Sequence, residues 1–163
     1  MSAELITREM TKVEFEKYRD MAVGEYAKDI VKAGRVSGDL AYEQSSREFE
    51  TLAPKGGKCT KDNCLYIVEA NNKRIGIFWY LTKNIMDEDV AFIADIRVDN
   101  TIRNQGYGRK ILQSFEAEAK EKGYKYLGLN VFKDNPGAIH LYESEGYYIA
   151  YDAGGSIYMK KEI

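Results

Sequence analysis

Arg103 to Lys110 reads RNQGYGRK, two glycines set among cationic side chains. The stretch lies where an alternating pattern (AFIADIRV) gives way to a helical one (ILQSFEAEAKEKG). The chemistry open to such residues is anion binding. The first N–H groups of a helix lack intrahelical partners, and glycines at 106 and 108 let an anion approach them. The helix dipole and the charges of Arg103, Arg109 and Lys110 add positive potential. Phosphate is the natural acceptor, although structural turns use G-x-G as well. Spacing excludes two nucleotide motifs. There is no G-x-x-x-x-G-K-[ST] run, and Ile111 holds the third small position of a dinucleotide fingerprint.

Other residues offer proton chemistry. Tyr142, in NPGAIHLYESEGYY, is either a core tyrosine or an acid. Asp95 interrupts the apolar run AFIADIRV and, by strand alternation, shares a face with Ile93 and Arg97, so it is either a base or the partner of an arginine. His140 precedes Tyr142 by two residues, which turns it to another side of a helix, a surface or cofactor-edge position. Trp79, with Phe78 and Tyr80, reads as core. Cys59 and Cys64, with a single histidine in the chain, cannot complete a four-ligand zinc site and read as reduced thiols.

VDNTIRNQGYG places R-x-x-G-x-G five residues after Val98 and resembles motif A of the GNAT N-acetyltransferase superfamily. NPGAIHLYESEGYY resembles motif B, N-x-x-A-x-x-L-Y-x-x-x-G-[FY], at the expected distance downstream. The helix end EYAKDIVKAGR and the strand AFIADIRV look like a bacterial subgroup of small members. The resemblance implies transfer of an acetyl group from acetyl-coenzyme A to an amine of a small molecule or peptide by direct attack. The alternative is a non-catalytic acyl-coenzyme A sensor of the same fold.

It also implies roles for particular residues. Arg103, Asn104, Gln105, Gly106, Tyr107, Gly108 and Arg109 would hold the pyrophosphate. Backbone around Ile96, Arg97 and Val98 would supply the donor for the tetrahedral oxyanion. Asn135, an N-cap by its own spacing, and Ala138 would lie near the pantetheine arm. Tyr142 holds the general-acid position at the leaving sulfur. Some members carry a glutamate six residues before the position of Val98; here it is Phe92, which leaves the base open. Glu25 and Tyr26, near an expected break between the first two helices, would line the acceptor pocket, their bland reading being a solvated helix face.

These residues must be positioned by elements that the pattern predicts. TKVE, Thr11 to Glu14, has capping-box spacing and starts a helix burying Val13, Met21, Ala22, Tyr26 and Ile30. Gly24 is a candidate break, Gly34 ends the helix, and a second helix runs from after Asp39 to Pro54. The first third is thus expected to be helical. Three antiparallel strands follow: CLYIVEA, RIGIFWYLTK and Val90 to Val98. Then come a helix over Gly106–Lys122, a strand YKYLGLNVF, a helix entered at Asn135–Pro136, and a closing hairpin. This is an α+β (mixed α/β) order, implying with the resemblance a GNAT-like central mixed sheet of six to seven strands flanked by helices.

The 163 residues, 44% apolar, suit a single domain over 1–163. A net charge of -2 and a pI near 5.6 argue against general nucleic-acid binding. No apolar run approaches the length of a membrane span. The reading is a cytoplasmic protein with an amine acceptor, acetyl-coenzyme A as cosubstrate and no metal, membrane or nucleic-acid partner, and it leaves room for a homodimer.

Overall fold

The chain runs β1 (Leu5–Glu9), α1 (Lys12–Lys32), α2 (Gly38–Leu52), β2 (Asn63–Ala70), β3 (Lys73–Ile85), β4 (Glu88–Val98), α3 (Tyr107–Glu121), β5 (Tyr126–Phe132), α4 (Pro136–Ser144), β6 (Tyr148–Asp152) and β7 (Ser156–Glu162). This is a computed structural model that describes residues 4–163. The strands form one mixed sheet in the order β1-β2-β3-β4-β5-β7-β6. The expected mixed sheet with flanking helices is therefore present.

β2, β3 and β4 form the antiparallel meander. Asn71 and Asn72 turn the first corner at φ 54° and 62°, the left-handed pair required by a tight hairpin. Met86 and Asp87 turn the second at φ 53° and 64°. The polar interruption expected before β4 thus shrinks to two residues, and β3 pairs with β4 from Ile85↔Glu88 to Gly76↔Val98. β4 then pairs in parallel with β5, a crossover that needs the length of α3.

Alternation sends one set of side chains to each face of the sheet. Leu65, Ile67, Ile77, Trp79 and Leu81 pack with Tyr18, Val23 and Phe49 of α1 and α2. On the other face Phe78, Tyr80, Leu127 and Leu129 pack beneath Ile111, Leu112 and Phe115 of α3 and Tyr142 of α4. Each such fully buried apolar side chain contributes about 1.5–3 kcal/mol.

Three expectations about the first third are corrected. β1 precedes the helices and pairs antiparallel with β2, from Leu5↔Ala70 to Glu9↔Tyr66. It is a short edge strand, LITRE, with no alternation of apolar and polar residues to reveal it. The capping box forms as predicted, and Arg8 adds a bidentate pair to Glu14 at 2.8 and 3.0 Å that ties β1 to α1. This hydrogen bonding with Arg8 pulls the Glu14 carboxyl down to about 2.

α1 buries Tyr18, Val23, Ala27 and Ile30. Of the residues expected inside, Val13 (60% exposed) and Met21 (39%) face solvent, and Ala22 and Tyr26 are only partly buried. Nor does Gly24 split the helix. A mid-helix glycine costs about 1 kcal/mol, and Val23 and Ala27 on either side of it are anchored by burial. The break falls instead at Gly34, at φ 72°.

Candidate active site

β4 and β5 pair only from Val90↔Tyr126 to Ile93↔Leu129. Beyond that point β4 stays with β3 to Val98, while β5 stays with β7 to Phe132. A wedge therefore opens between the C-terminal halves of two neighbouring strands. A bulge marks its start: Trp79 faces Asp95 and Tyr80 faces Ile93, which leaves Ala94 unpaired.

The bulge resets side-chain parity. Asp95 and Arg97 stand opposite Trp79 and Ile77, on the face covered by α1 and α2, whereas Ile93 packs with Tyr80 on the other face. Simple alternation had put Ile93 beside Asp95, and the extra residue corrects that. The backbone direction also matters. Asp99 N–H donates to the Ile75 carbonyl at 2.8 Å. By ladder alternation Arg97 N–H also points toward β3, while the N–H groups of Ile96 and Val98 point into the wedge. The Val98 carbonyl, on the wedge side, accepts from Arg103 Nε at 3.1 Å.

At the end of β4 the chain makes a one-turn 3-10 helix, Asn100–Ile102, and reaches α3 through Asn104 at φ 64° and Gly106 at φ 82°. Gly106 is the N-cap of α3 and offers no side-chain acceptor, so the first-turn N–H groups remain available. A Cβ built at Gly106 meets nothing within 4 Å, and one at Gly108 meets only Leu141 Cδ2 at 3.5 Å. Neither glycine is crowded by neighbouring backbone. Among the cations, Arg109 is paired with Glu145, and Lys110 lies 5.3 Å from the ring centroid of Tyr107. Arg103, Asn104 and Gln105 are exposed at the loop.

α4 supplies the wedge's other edge. Asn135 caps it, its Oδ1 accepting from Ala138 N–H at 3.2 Å, which leaves the side-chain NH₂ free of that bond. Ala138 and Leu141 pack against the core, and His140 is exposed. Tyr142 is buried edge-on to Tyr147 at 5.9 Å. Burial, helped by the negative charge of Asp95, pushes its phenol up to about 12.

On the α1–α2 side lies a cavity of about 370 Å³. Glu25 and Tyr26 line it, together with Tyr18, Asp29, Glu48, Lys83, Asp95 and Arg97. One network organises its wall. Asp95 Oδ2 accepts from the Tyr18 hydroxyl at 2.6 Å and from Arg97 Nε at 2.7 Å, and the outer nitrogen of Arg97 pairs with Glu25. Burial opposes the charge on Arg97, yet Asp95 and Glu25 hold the guanidinium above its ordinary range. Burial and the charge of Asp95 keep Tyr18 protonated. Burial, then Glu25 and Asp134, raise the Asp29 carboxyl. Arg35 donates to the Tyr26 hydroxyl at 3.2 Å. Trp79 is core, its Nε1 donating to Asn63 Oδ1 at 2.7 Å, while it also lines the cavity. Tyr18, Asp29 and Lys83 carried no motif. Only the two-turn spacing of Tyr18 and Glu25 on α1 hinted that they share a side.

Comparison with known proteins identifies the family and the fold. Residues 35–147 match the family described as Acetyltransferase (GNAT) family. The uncharacterized N-acetyltransferase YdgE of Bacillus subtilis (strain 168) is 28% identical over 155 residues, covering 95% of this chain and 96% of that protein. The uncharacterized N-acetyltransferase YycN of the same strain is 31% identical over 135 residues, 82% of this chain and 86% of that protein. A crystal structure of YycN superposes with a TM-score of 0.81 at 28% identity, over 92% of this chain and 96% of that one. The PaiA N-acetyltransferase of Thermoplasma acidophilum, solved in complex with coenzyme A, shares the fold. It has a TM-score of 0.65 and 19% identity, with 100% of both chains covered.

Proposed function

The chain belongs to the acetyltransferase (GNAT) family, and we propose that it transfers the acetyl group of acetyl-coenzyme A to the amine of a small molecule or peptide by direct attack. One observation supports this reading: a wedge between β4 and β5 lies between the uncapped start of α3 and a cavity lined by Glu25, Asp29, Glu48 and Asp95 together with Arg35, Lys83 and Arg97. The anion loop and the cavity meet at Ile96–Val98.

In this reading the α3 amides at Gly106, Tyr107, Gly108 and Arg109 hold the pyrophosphate, with Arg103, Asn104 and Gln105 at its edge. The free NH₂ of Asn135 and the small side chain of Ala138 border the pantetheine arm. Ile96 and Val98 present N–H groups to the oxyanion that forms when the amine attacks, donors fixed in direction before the reaction begins. Arg97 contributes its side chain on the cavity face, its own N–H being spent on β3.

Tyr142 serves the departing sulfur. Burial, then the charge of Asp95, raises this phenol and keeps its proton in place beside the sulfur. Tyr142 therefore acts chiefly as a hydrogen-bond donor that stays protonated throughout the working range. Asp95 has both its bonds on Oδ2 committed to Tyr18 and Arg97. It orients Arg97 and helps keep Tyr142 protonated. Glu25 and Asp29 give the cavity the negative potential that draws a cationic amine, and Tyr26 shapes its wall.

The test is thiol release. Incubation with acetyl-coenzyme A and a panel of small and peptide amines is expected to release thiol above background with at least one acceptor. Tight coenzyme A binding by calorimetry with no release from any amine would favour the sensor reading.

A further inference from the structure

The hairpin entering β2 brings two thiols together outside the transfer site. Thr60 and Asn63 are bridged antiparallel across Lys61–Asp62, Thr60 N–H donating to the Asn63 carbonyl at 2.9 Å. Cys59 and Cys64 flank this isolated bridge, one residue outside it on each side, so the turn brings the two thiols into the same neighbourhood.

The backbone partners of the two cysteines lie elsewhere. Cys59 N–H turns away and donates to Glu9 Oε2 at 2.9 Å, and Cys64 pairs with Tyr80 on β3. Cys59 is partly exposed and Cys64 buried, and Cys64 Sγ donates to the Thr60 carbonyl at 3.3 Å. The neighbouring Cys59 thiol holds Cys64 below the usual thiol range against its burial, helped by Tyr66 and by the charge of Lys122, with Glu118 opposing.

We propose that Cys59 and Cys64 are a dithiol modification site that closes into a reversible intrachain disulfide when it meets a hydroperoxide. One thiolate of the pair attacks the peroxide O–O bond, forming a sulfenic acid and expelling hydroxide, or an alkoxide from an organic peroxide. The second sulfur then attacks the sulfenic sulfur, the S–S bond forms and a second hydroxide leaves. With hydrogen peroxide, the two thiols lose two electrons and two protons in all, the peroxide is reduced to two waters, and a thiol reductant reverses the closure. The two thiols flank one tight turn, so the second step is intramolecular and outruns further oxidation.

The site's placement gives closure a structural reach. Asn63, inside the closed loop, donates through Nδ2 to the Leu52 carbonyl at the end of α2 at 2.6 Å and accepts from Trp79. Both Leu52 and Trp79 line the cavity. The disulfide staples the turn that joins them.

The experiment treats the whole chain with one equivalent of hydrogen peroxide, counts free thiols after denaturation and measures intact mass. The expected result is joint loss of both thiols, a mass lower by two hydrogens, a peptide linking residues 59 and 64, and full recovery on reduction. Cys59→Ser, at the partly exposed position, is expected to lose that species and gain oxygen instead. Cys64→Ala is the second variant and should likewise show no mass loss. Gain of oxygen by the unaltered chain without thiol pairing, or disulfides only between chains, would overturn the proposal.

Discussion

The two sides of the wedge are built differently. The proposed cofactor side is local: a strand end, eight residues of loop and helix start, and one turn of α4. The acceptor side is assembled from distant parts, with Tyr18 reaching Asp95 across 77 positions and Arg97 reaching Glu25 across 72. Backbone amides dominate the first and side chains the second. A substitution on the cofactor side should therefore matter through space and backbone, and one on the acceptor side through charge.

The largest effect is expected from Gly108→Trp. Its side chain must enter the space above the α3 amides or push on Leu141. Calorimetry should show coenzyme A affinity reduced at least about 100-fold, near 2.7 kcal/mol, with circular dichroism confirming the fold. Unchanged affinity would remove the anion loop from the account. Tyr142→Phe should lower kcat by about 10–100-fold and leave the coenzyme A Kd nearly unchanged, since the phenol's role is confined to the leaving sulfur. The unaltered enzyme should show no alkaline loss of kcat/KM below pH 10, because Tyr142 remains protonated there; a fall near pH 9 would contradict the shift.

Asp95→Asn tests the acceptor side. It removes the charge that pairs with a half-buried Arg97 and should lower stability by about 1–3 kcal/mol in denaturant titration. The acidic limb of the pH–rate profile should stay in place; its disappearance would make Asp95 the base. The smallest effect belongs to Glu14→Gln, at the foot of α1. The Glu14 carboxyl is lowered in the folded state, so its contribution is fully present above the unfolded value of about 4.3 and is lost as pH falls toward about 2. The variant should be less stable at pH 7 by under 1 kcal/mol, and the difference should vanish near pH 2.

The same division explains what the amino-acid order revealed. RNQGYGRK and NPGAIHLYESEGYY could be read because each is one contiguous piece of backbone whose spacing carries the geometry. Tyr18 could not, because its role depends on how α1 lies across β4. The pattern puts Val13 and Met21 on the buried face of α1, but apolar residues are scattered around the helix and the sheet decides which face is covered. Asp95 was read as sharing a face with Arg97, which is correct, and with Ile93, which the bulge at Ala94 prevents. β1 escaped notice because an exposed edge strand needs no apolar stripe. Gly76 shows the reverse case, a residue whose need appears only in three dimensions: a Cβ there would lie 2.0 Å from the Arg97 carbonyl oxygen. That close approach holds β4 in place beside the wedge.

The central claim is that coenzyme A is held by backbone amides on one side of the wedge while the acceptor cavity stands apart. Amide hydrogen exchange with and without coenzyme A tests it most directly. Slower exchange at Ile96, Val98 and Gly106 to Arg109, with Arg97 and the cavity-lining residues of α1 and α2 unchanged, is the predicted result. Protection confined to α1 and α2, with the loop and β4 unaffected, would contradict it.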